Sequence, residues 1–157
     1  DGALAVSGGL DAAARVWDLR SGRTACVLEG HVKGVLACDV SPDGHTVATG
    51  SQDHTCKVWD LRKAEGRTCR VLYTIPAHSS LVSQVRFERG GGHVLLTAGF
   101  DKAVRLWSME DFSLAADLAG HEGKVMGADL LPDLECIASV AYDRTLKLWG
   151  APPGTGL

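Results

Sequence analysis

The chain has 157 residues, of which 45% are hydrophobic and 22% are charged, a composition typical of a globular domain with one core. Its formal net charge of -3 argues against a wholly basic nucleic-acid-binding domain, although it leaves room for a local basic patch. The five cysteines are odd in number and include no Cys-x-x-Cys pair, so we expect a reducing compartment rather than a disulfide framework. The sequence contains no apolar run of the roughly 20 residues that a membrane-spanning helix needs, and no signal peptide opens it.

Short apolar stretches alternate with turn-forming residues along the chain. The segments 35–40, 46–49 and 55–59 each have the length of a strand, and turn formers at 41–44 and 50–52 separate them. No segment shows a sustained helical period. The sequence therefore predicts an all-β protein of short strands joined by tight turns.

A set of residue types recurs in register along the chain, roughly every 42 to 48 residues. Each unit contains a tryptophan that follows a basic and then an aliphatic residue, and the four are Trp17, Trp59, Trp107 and Trp149. Six residues before each tryptophan stands an aspartate, namely Asp11, Asp53, Asp101 and Asp143. Four residues before each aspartate stands a hydroxyl residue, namely Ser7, Thr49, Thr97 and Ser139. A Gly-His or Ala-His pair opens three of the units and contributes His31, His78 and His121.

This pattern resembles the WD40 repeat, in which Gly-His stands early and Trp-Asp late in a unit of about 40–45 residues. The resemblance covers nearly the whole chain and rests on four aligned marks in each repeat. Two repeats depart from the Trp-Asp dipeptide, with Ser108 after Trp107 and Gly150 after Trp149, but they keep the tryptophan and the upstream aspartate. The resemblance implies a WD40 β-propeller, an all-β ring of four-stranded blades.

The family's architecture also predicts how the blades are divided. Each repeat supplies the outer strand of one blade and three strands of the next, so the first blade lacks its innermost strand and the last stops after its third. This gives about fourteen strands in four blades or part-blades. Because such an array cannot close a ring, we expect residues 1–149 to form the C-terminal half of a larger propeller of about seven blades. The Pro/Gly-rich residues 150–157 are expected to form a tail at a natural C-terminus.

The hydroxyl, histidine and aspartate of each repeat have the composition of a nucleophilic triad. An active site occurs once in a domain, whereas this set recurs with the tryptophans. We therefore predict a structural hydrogen-bond chain from the indole N–H through hydroxyl and imidazole to carboxylate. In the first blade only Ser7, Asp11 and Trp17 are present, because the histidine would lie upstream.

No other motif in the sequence indicates catalysis. Gly90-Gly91-Gly92 is predicted to form a hairpin turn rather than a phosphate-binding loop, because no helix is predicted to follow it. Cysteine and histidine show no zinc-ligand spacing. We therefore expect no enzyme activity, no cofactor and no metal.

Several non-generic stretches resemble the WD-repeat family of the U4/U6 small nuclear ribonucleoprotein, the type of pre-mRNA-processing factor four. The stretches with most weight are Ile75-Pro76-Ala77-His78 and the run from Gly120 to Gly127, and Tyr142-Asp143-Arg144-Thr145 is a further match. The chain departs from that family at Ala13-Ala14, at the longer Lys63–Arg67 loop and at Val140-Ala141, which affects expected loop contacts.

The second resemblance implies a nuclear, non-catalytic scaffold of the U4/U6 particle and the tri-snRNP. The implied partners are other pre-mRNA-processing factors and a cyclophilin, with U4/U6 snRNA as a further candidate, and neither a membrane nor a small-molecule substrate is implied. A generic WD40 adaptor of the chromatin or ubiquitin-ligase type is the alternative, and an enzyme is the third reading. The residues alone leave these alternatives open.

Two surfaces are candidate binding sites. The residue before each turn aspartate should lie on the face of the propeller that carries the histidines, and three of the four are large and apolar, as in an interface hot spot. These residues, with two on an adjacent strand start, are Leu10, Gln52, Phe100, Tyr142, Lys124 and Met126. On the opposite face, basic residues follow two of the tryptophans and could grip RNA phosphates, although a solvated basic turn is the simpler reading. They are Arg20, Arg23, Arg62, Lys63, Arg67 and Arg70.

Overall fold

The computed structural model describes residues 3–131 and 136–150, and these residues form four β-sheets that follow one another along the chain. Each sheet is one blade of a propeller, as predicted. Blade 1 contains β1 (Leu4–Gly8), β2 (Ala13–Asp18) and β3 (Arg23–Glu29). Blade 2 contains β4 (Val35–Val40), β5 (Thr46–Ser51), β6 (Cys56–Asp60) and β8 (Val71–Ile75). The short β7 (Thr68–Cys69) lies between β6 and β8 in the chain but joins the sheet of blade 1.

The remaining strands complete the third blade and most of the fourth. Blade 3 contains β9 (Val82–Phe87), β10 (Val94–Gly99), β11 (Ala103–Ser108) and β12 (Leu114–Ala119). Blade 4 contains β13 (Val125–Leu130), β14 (Cys136–Ala141) and β15 (Leu146–Gly150). Strand β4 contacts β1 and β9, and β9 contacts β13, so the blades stand side by side in chain order. None of the described residues belongs to a helix long and apolar enough to cross a membrane.

The turns of the blades lie on two opposite faces. The top face carries the turns between the second and third strands together with the segments that precede the inner strands, and a hydrogen bond of 2.9 Å from the Gln52 N–H to the Gly34 carbonyl links the two. The bottom face carries the other turns, where the Leu61 N–H donates to the His45 carbonyl at 2.8 Å. Top and bottom surfaces are therefore built from different, non-overlapping segments of each repeat.

The connection after Trp59 differs from the prediction. A single 3-10 turn, Leu61–Lys63, follows β6, and β7 then pairs in parallel with β3 of blade 1. The Val27 N–H donates to the Arg67 carbonyl at 2.8 Å. The described residues therefore contain fifteen strands rather than the predicted fourteen. The extra length of this loop allows it to reach the edge strand of blade 1 and to satisfy part of that edge.

Smaller differences concern the ends of strands. Strand β5 continues to Ser51, and β6 runs from Cys56 to Asp60. Gly90–Gly92 lies in the turn between β9 and β10, where the predicted hairpin was placed. Strand β15 includes Gly150, so the sheet extends one residue past the predicted boundary. The rest of the predicted tail, 151–157, lies outside the described residues.

Buried apolar side chains fill the space between neighbouring blades. Trp59 of blade 2 packs in one cluster with Leu28 of blade 1, whereas Val58, next to it in β6, packs in another cluster with Leu95 of blade 3. Successive residues of a strand point to opposite faces of the sheet, so one strand serves two interfaces. Each complete blade is consequently apolar on both of its flat sides.

The blades approach each other closely at positions occupied by small residues. A Cβ atom at Gly50 would lie 2.7 Å from Cγ1 of Val82 and 3.0 Å from Cγ1 of Val85 in blade 3. A Cβ atom at Gly8 of blade 1 would likewise lie 2.8 Å from Cγ1 of Val35 of blade 2. Since these valines are buried on inner strands, a larger residue at either glycine would push two blades apart.

We predict that Gly50→Ala lowers the free energy of unfolding by about 1–3 kcal/mol, because the added methyl overpacks the interface between blades 2 and 3. Thermal melting measures this change. The matched control is Gly127→Ala, since a Cβ there would lie 3.6 Å from its nearest neighbour, Cγ2 of Val140, an ordinary contact distance. Equal melting temperatures for the two variants would contradict the prediction.

Candidate functional site

The polar set of blade 2 forms a continuous hydrogen-bond chain from the core to the top face. The indole N–H of Trp59 donates to Oγ1 of Thr49 at 2.9 Å, and this oxygen lies 2.8 Å from Nε2 of His31. The other ring nitrogen, Nδ1 of His31, lies 2.8 Å from Oδ2 of Asp53. Trp59 and Thr49 are fully buried, so the chain runs through the interior before it reaches the turn. It ties the segment before β4 to the turn between β5 and β6.

The same geometry recurs in blades 3 and 4, whereas blade 1 keeps only the bond between indole and hydroxyl. In blade 3 the successive distances are 2.9, 2.9 and 2.7 Å along Trp107, Thr97, His78 and Asp101. In blade 4 they are 2.8, 2.7 and 2.8 Å along Trp149, Ser139, His121 and Asp143. In blade 1, Trp17 donates to Ser7 at 2.8 Å and Asp11 pairs with Arg15 at 2.6 Å.

The charge states along the chain follow from burial and hydrogen bonding. Burial lowers the pKa of His31 and of His78 below the ordinary value, which favours neutral imidazole. Burial by itself raises the pKa of Asp101, but hydrogen bonds and charge from Arg105 and His78 outweigh it and bring that pKa to about 2. A carboxylate only accepts hydrogen bonds, so in blade 2 Nδ1 of His31 carries the proton toward Asp53.

Each turn aspartate is satisfied in one of two ways. Where threonine stands two residues after the aspartate, its hydroxyl donates to the carboxylate at 2.6 Å, as Thr55 does to Asp53 and Thr145 to Asp143. In blade 3 that position is Ala103, and the guanidinium of Arg105 donates to Asp101 at 2.7 Å instead. Blade 1 follows the second scheme, with Ala13 and Arg15. At the positions two and four residues after the aspartate, blades 1 and 3 therefore have alanine and arginine where blades 2 and 4 have threonine and lysine.

We call each chain of tryptophan, hydroxyl residue, histidine and aspartate a clamp, because it holds the segment before the inner strand to the turn between the second and third strands. Its hydroxyl lacks the access to solvent that a nucleophile needs. Thr49 and Thr97 are fully buried and Ser139 is 1% exposed. Each hydroxyl already accepts an indole N–H and contacts an imidazole, so no substrate atom can approach it. Among residues 3–131 and 136–150, no group of three or more His, Cys, Asp or Glu side chains could hold a metal ion.

The predicted binding residues of the top face lie at the junctions between blades. Leu10 of blade 1 and Gln52 of blade 2 both lie close to Gly34, which precedes the inner strand of blade 2. Leu10 is 79% exposed and Tyr142 is 67% exposed, whereas Gln52 and Phe100 are half-buried. The structure therefore places all four at this face, but only two of them are widely accessible.

Bulges in the inner strands add further exposed residues to the top face. The pairing of β4 with β5 shifts between Val35 and Ala37, and the pairing of β13 with β14 shifts between Val125 and Gly127. A bulge re-aims the extra residue. Met126 is exposed at its bulge, as predicted for the top face, and Leu36 occupies the equivalent position in blade 2. Sequence reasoning missed Leu36, although alignment of the repeats with Met126 would have found it.

A second exposed apolar residue was also missed. Val32, which follows His31, is exposed over 81% of its surface, and its backbone N–H donates to Oδ2 of Asp53 at 3.1 Å. Ser79 and Glu122 occupy the same position in blades 3 and 4 and make the same backbone hydrogen bond. The position is thus fixed by the clamp while its side chain is free to vary.

The six basic residues do not form the single bottom-face patch that the sequence predicted. Arg20, Arg62 and Lys63 lie in bottom turns and Arg23 begins β3, but Arg67 and Arg70 flank β7 on the outer rim of blade 1, because the connection turns back to pair with β3. Acids also offset two of the charges. Arg62 pairs with Asp60 at 2.9 Å, and Arg70 pairs with Glu65 at 3.4 Å.

Comparison with protein families agrees with the geometry. The model of the WD domain, G-beta repeat, matches residues 22–60, 69–108 and 112–150, which is more than half of the chain. The chain belongs to the WD40 repeat family. Proteins of this family are typically interaction scaffolds, and the repeated clamp described above is consistent with that class.

Individual relatives are of two kinds. The chain is 53% identical over 58 residues to the U4/U6 small nuclear ribonucleoprotein PRP4-like protein of Arabidopsis thaliana, covering 37% of this chain and 10% of that protein. It is 38% identical over 89 residues to the U4/U6 small nuclear ribonucleoprotein PRP4 of Saccharomyces cerevisiae, covering 56% of this chain and 18% of that protein. It is also 33% identical to the nuclear distribution protein PAC1 of Coccidioides posadasii, covering 94% of this chain and 32% of that protein. The chain therefore spans a third or less of these relatives.

We predict that Asp101→Ala destabilises the protein by about 3–5 kcal/mol, because it removes one partner of a buried pair and leaves Nδ1 of His78 without its carboxylate acceptor. The side chain of Asp101 is 7% exposed and that of His78 is fully buried. Thermal melting measures the loss. Glu110→Ala, which removes an exposed carboxylate from the same blade, is the control. An unchanged melting temperature for Asp101→Ala would show that the clamp is not structural.

We also predict that stability falls as the pH drops from about 7 to about 5. The pKa values of His31 and His78 are lower in the folded state than in the unfolded state, so below about pH 6.5 the unfolded state binds more protons. The depressed pKa of Asp101 adds a further loss between about pH 4 and pH 2. Melting temperature against pH tests this.

The control for the pH series is His54→Asn. His54 is exposed and sits at a positive φ of 75°, which asparagine tolerates, so this variant should keep the pH dependence of the parent protein. A melting temperature that stays constant from pH 7 to pH 5 would exclude buried neutral imidazoles.

Proposed function

We propose that this protein is a non-catalytic scaffold of the U4/U6 small nuclear ribonucleoprotein and of the U4/U6.U5 tri-snRNP, and that it acts in pre-mRNA splicing in the nucleus. The observation that carries the proposal is the 53% identity over 58 residues with the PRP4-like protein. Its partners in this role are other pre-mRNA-processing factors and a cyclophilin, with U4/U6 snRNA as a further candidate. The role requires no cofactor, no membrane and no small-molecule substrate.

A second candidate function is a general WD40 adaptor, for example in chromatin or ubiquitin-ligase assemblies. It is favoured by matches at 33% and 30% identity that cover 94% and 91% of the chain, with PAC1 and with a fizzy-related protein of Schizosaccharomyces pombe. Any two WD40 proteins share the residues of the clamps and of the core strands, and these shared residues account for about 30% identity over the whole chain. Higher identity within a shorter segment supports the splicing assignment more strongly.

The top face is the proposed site of protein partners. Tyr142 is large, exposed and held on a turn that the clamp of blade 4 fixes. Leu10 is large and exposed on the turn of blade 1, where Asp11 pairs with Arg15. A rigid apolar anchor loses little conformational entropy on binding, which is the property of an interface hot spot. The proposed contact set is Leu10, Gln52, Phe100, Tyr142, Lys124 and Met126.

The test is immunoprecipitation of the tagged full-length protein from nuclear extract. We expect enrichment of U4 and U6 RNA over U1 RNA, and absence of that enrichment would reject the splicing assignment. A Phe100→Ala/Tyr142→Ala variant should recover its protein partners several-fold less well, at unchanged melting temperature. Leu19→Ala, which removes an exposed leucine from the bottom face, should recover them normally.

We further propose a weak, sequence-independent RNA contact along the bottom face and the outer rim, through Arg20, Arg23, Arg62, Lys63, Arg67 and Arg70. Arg23, Lys63 and Arg67 support it most, because they are exposed and none of them pairs with an acid among the described residues. Lys63→Glu/Arg67→Glu should weaken RNA binding and reduce its salt dependence. Lys33→Glu, an exposed lysine of the top face, is the control. If affinity and salt slope both stay unchanged in the double variant, this surface does not contact RNA.

A further inference from the structure

The top turns of blades 3 and 4 differ from those of blades 1 and 2 in charge but not in conformation. The residue after each turn aspartate adopts a positive φ in all four blades, namely Ala12 at 66°, His54 at 75°, Lys102 at 73° and Arg144 at 65°. This left-handed conformation costs a non-glycine residue about 1 kcal/mol, so the turn is imposed by its hydrogen bonds. Only in blades 3 and 4 does a permanently charged cation occupy this position.

A third cation lies beside these two. Nζ of Lys124 stands 5.0 Å from the centre of the Phe100 ring, within the range of a cation–π contact. This contact joins the top turn of blade 3 to the segment before the inner strand of blade 4. Lys124 is itself linked to the adjacent turn, because its carbonyl accepts from the Tyr142 N–H at 2.9 Å. Lys102, Lys124 and Arg144 are thus carried on connected segments.

The acids of the same turns offset these cations only in part. Asp101 and Asp143 are held by the clamps, where His78, His121 and their neighbours occupy both carboxylate oxygens. Glu122 is the exposed acid of the adjoining segment. Among the described residues, Lys102, Lys124 and Arg144 form no ion pair with any of these acids. Arg105 offsets Asp101, so three cations face two acids, Asp143 and Glu122, and this surface keeps one net positive charge on a chain whose formal net charge is -3.

Exposed apolar side chains accompany the charges. Tyr142 is 67% exposed and Met126 is 43% exposed. A methionine adapts to different apolar shapes, and a tyrosine supplies a rigid ring with a polar tip. The combination fits a ligand that carries both negative charge and an apolar side chain.

From these observations we propose that the surface formed by Phe100, Lys102, Lys124, Met126, Tyr142 and Arg144 binds an acidic peptide segment of a partner protein. Aspartate or glutamate side chains of the segment pair with the three cations, and one aliphatic or aromatic side chain packs on Tyr142 and Met126. This inference rests on the proposed role of the top face in binding proteins. It adds the chemistry of the partner and confines the contact to blades 3 and 4.

A peptide fits this surface better than single-stranded RNA does. RNA bound without sequence preference stacks successive bases on a series of open aromatic faces. Here Tyr142 is the widely exposed ring, because Phe100 is half-buried and lies beneath Lys124. Met126 offers an aliphatic surface, which suits an apolar side chain rather than a phosphate.

The experiment is selection of a random dodecapeptide library on the immobilised full-length protein, with peptides that also bind a Lys102→Glu/Arg144→Glu variant removed. We expect the remaining peptides to be enriched in aspartate and glutamate and to carry a leucine, phenylalanine or tryptophan. One such peptide, labelled with fluorescein, should bind the double variant at least about tenfold more weakly, equivalent to about 1.4 kcal/mol. Tyr142→Ala should also weaken it, and higher salt should weaken it further.

Lys33→Glu, on the top face of blade 2, is the matched control and should bind that peptide like the parent protein. Selected peptides without an acidic excess, or equal losses in the control, would overturn the proposal. Competition by oligouridylate RNA stronger than by the peptide would assign the surface to RNA instead and also overturn it. If Phe100→Ala/Tyr142→Ala still loses protein partners in immunoprecipitation while no acidic peptide is selected, the acidic-peptide inference fails and the top-face role stands.

Discussion

The hydrogen bond between each indole N–H and the hydroxyl on the neighbouring strand fixes the rest of the blade. An indole buried without an acceptor would cost several kcal/mol, so the hydroxyl must face it, and that in turn sets the register of the second strand against the third. The hydroxyl then presents its remaining hydrogen-bonding capacity toward the top of the blade. Only a group that can accept and donate on opposite sides continues the chain, and neutral imidazole meets that condition. Each histidine therefore anchors the loop that precedes the inner strand to the turn between the second and third strands.

Much of this framework could be predicted from the sequence because every polar member recurs in register with a tryptophan. Repetition separates a structural set from an active site, and it also locates the blades. The departures from Trp-Asp have a local explanation as well. Asp60 accepts the backbone N–H of Arg62, and Ser108 accepts that of Glu110 in the equivalent turn, so a serine can replace the aspartate there.

Features that depend on register or on loop length could not be predicted. Nothing in Thr68-Cys69 indicates a strand, and β7 forms because a long connection passes the edge of blade 1. The exposure of Leu36 depends on a bulge that leaves no mark in the hydrophobic pattern of its own strand, so only its alignment with Met126 points to it. The sequence likewise located the basic residues but could not predict that they lie on two different surfaces. The path of β7 separates them, and Asp60 and Glu65 pair with two of them.

The clamp also determines which residues are free to carry specificity. In blades 2, 3 and 4 it uses the aspartate, the histidine and the backbone N–H after the histidine, whichever side chain that residue has. The residues on either side of the turn aspartate are held in place by the backbone alone, and their side chains are not required by the fold. Leu10, Gln52, Phe100 and Tyr142 can differ because their positions are equivalent and their chemistry is unconstrained. A scaffold built this way changes partners by substitution at the turn tips, without any change in the strands that hold them.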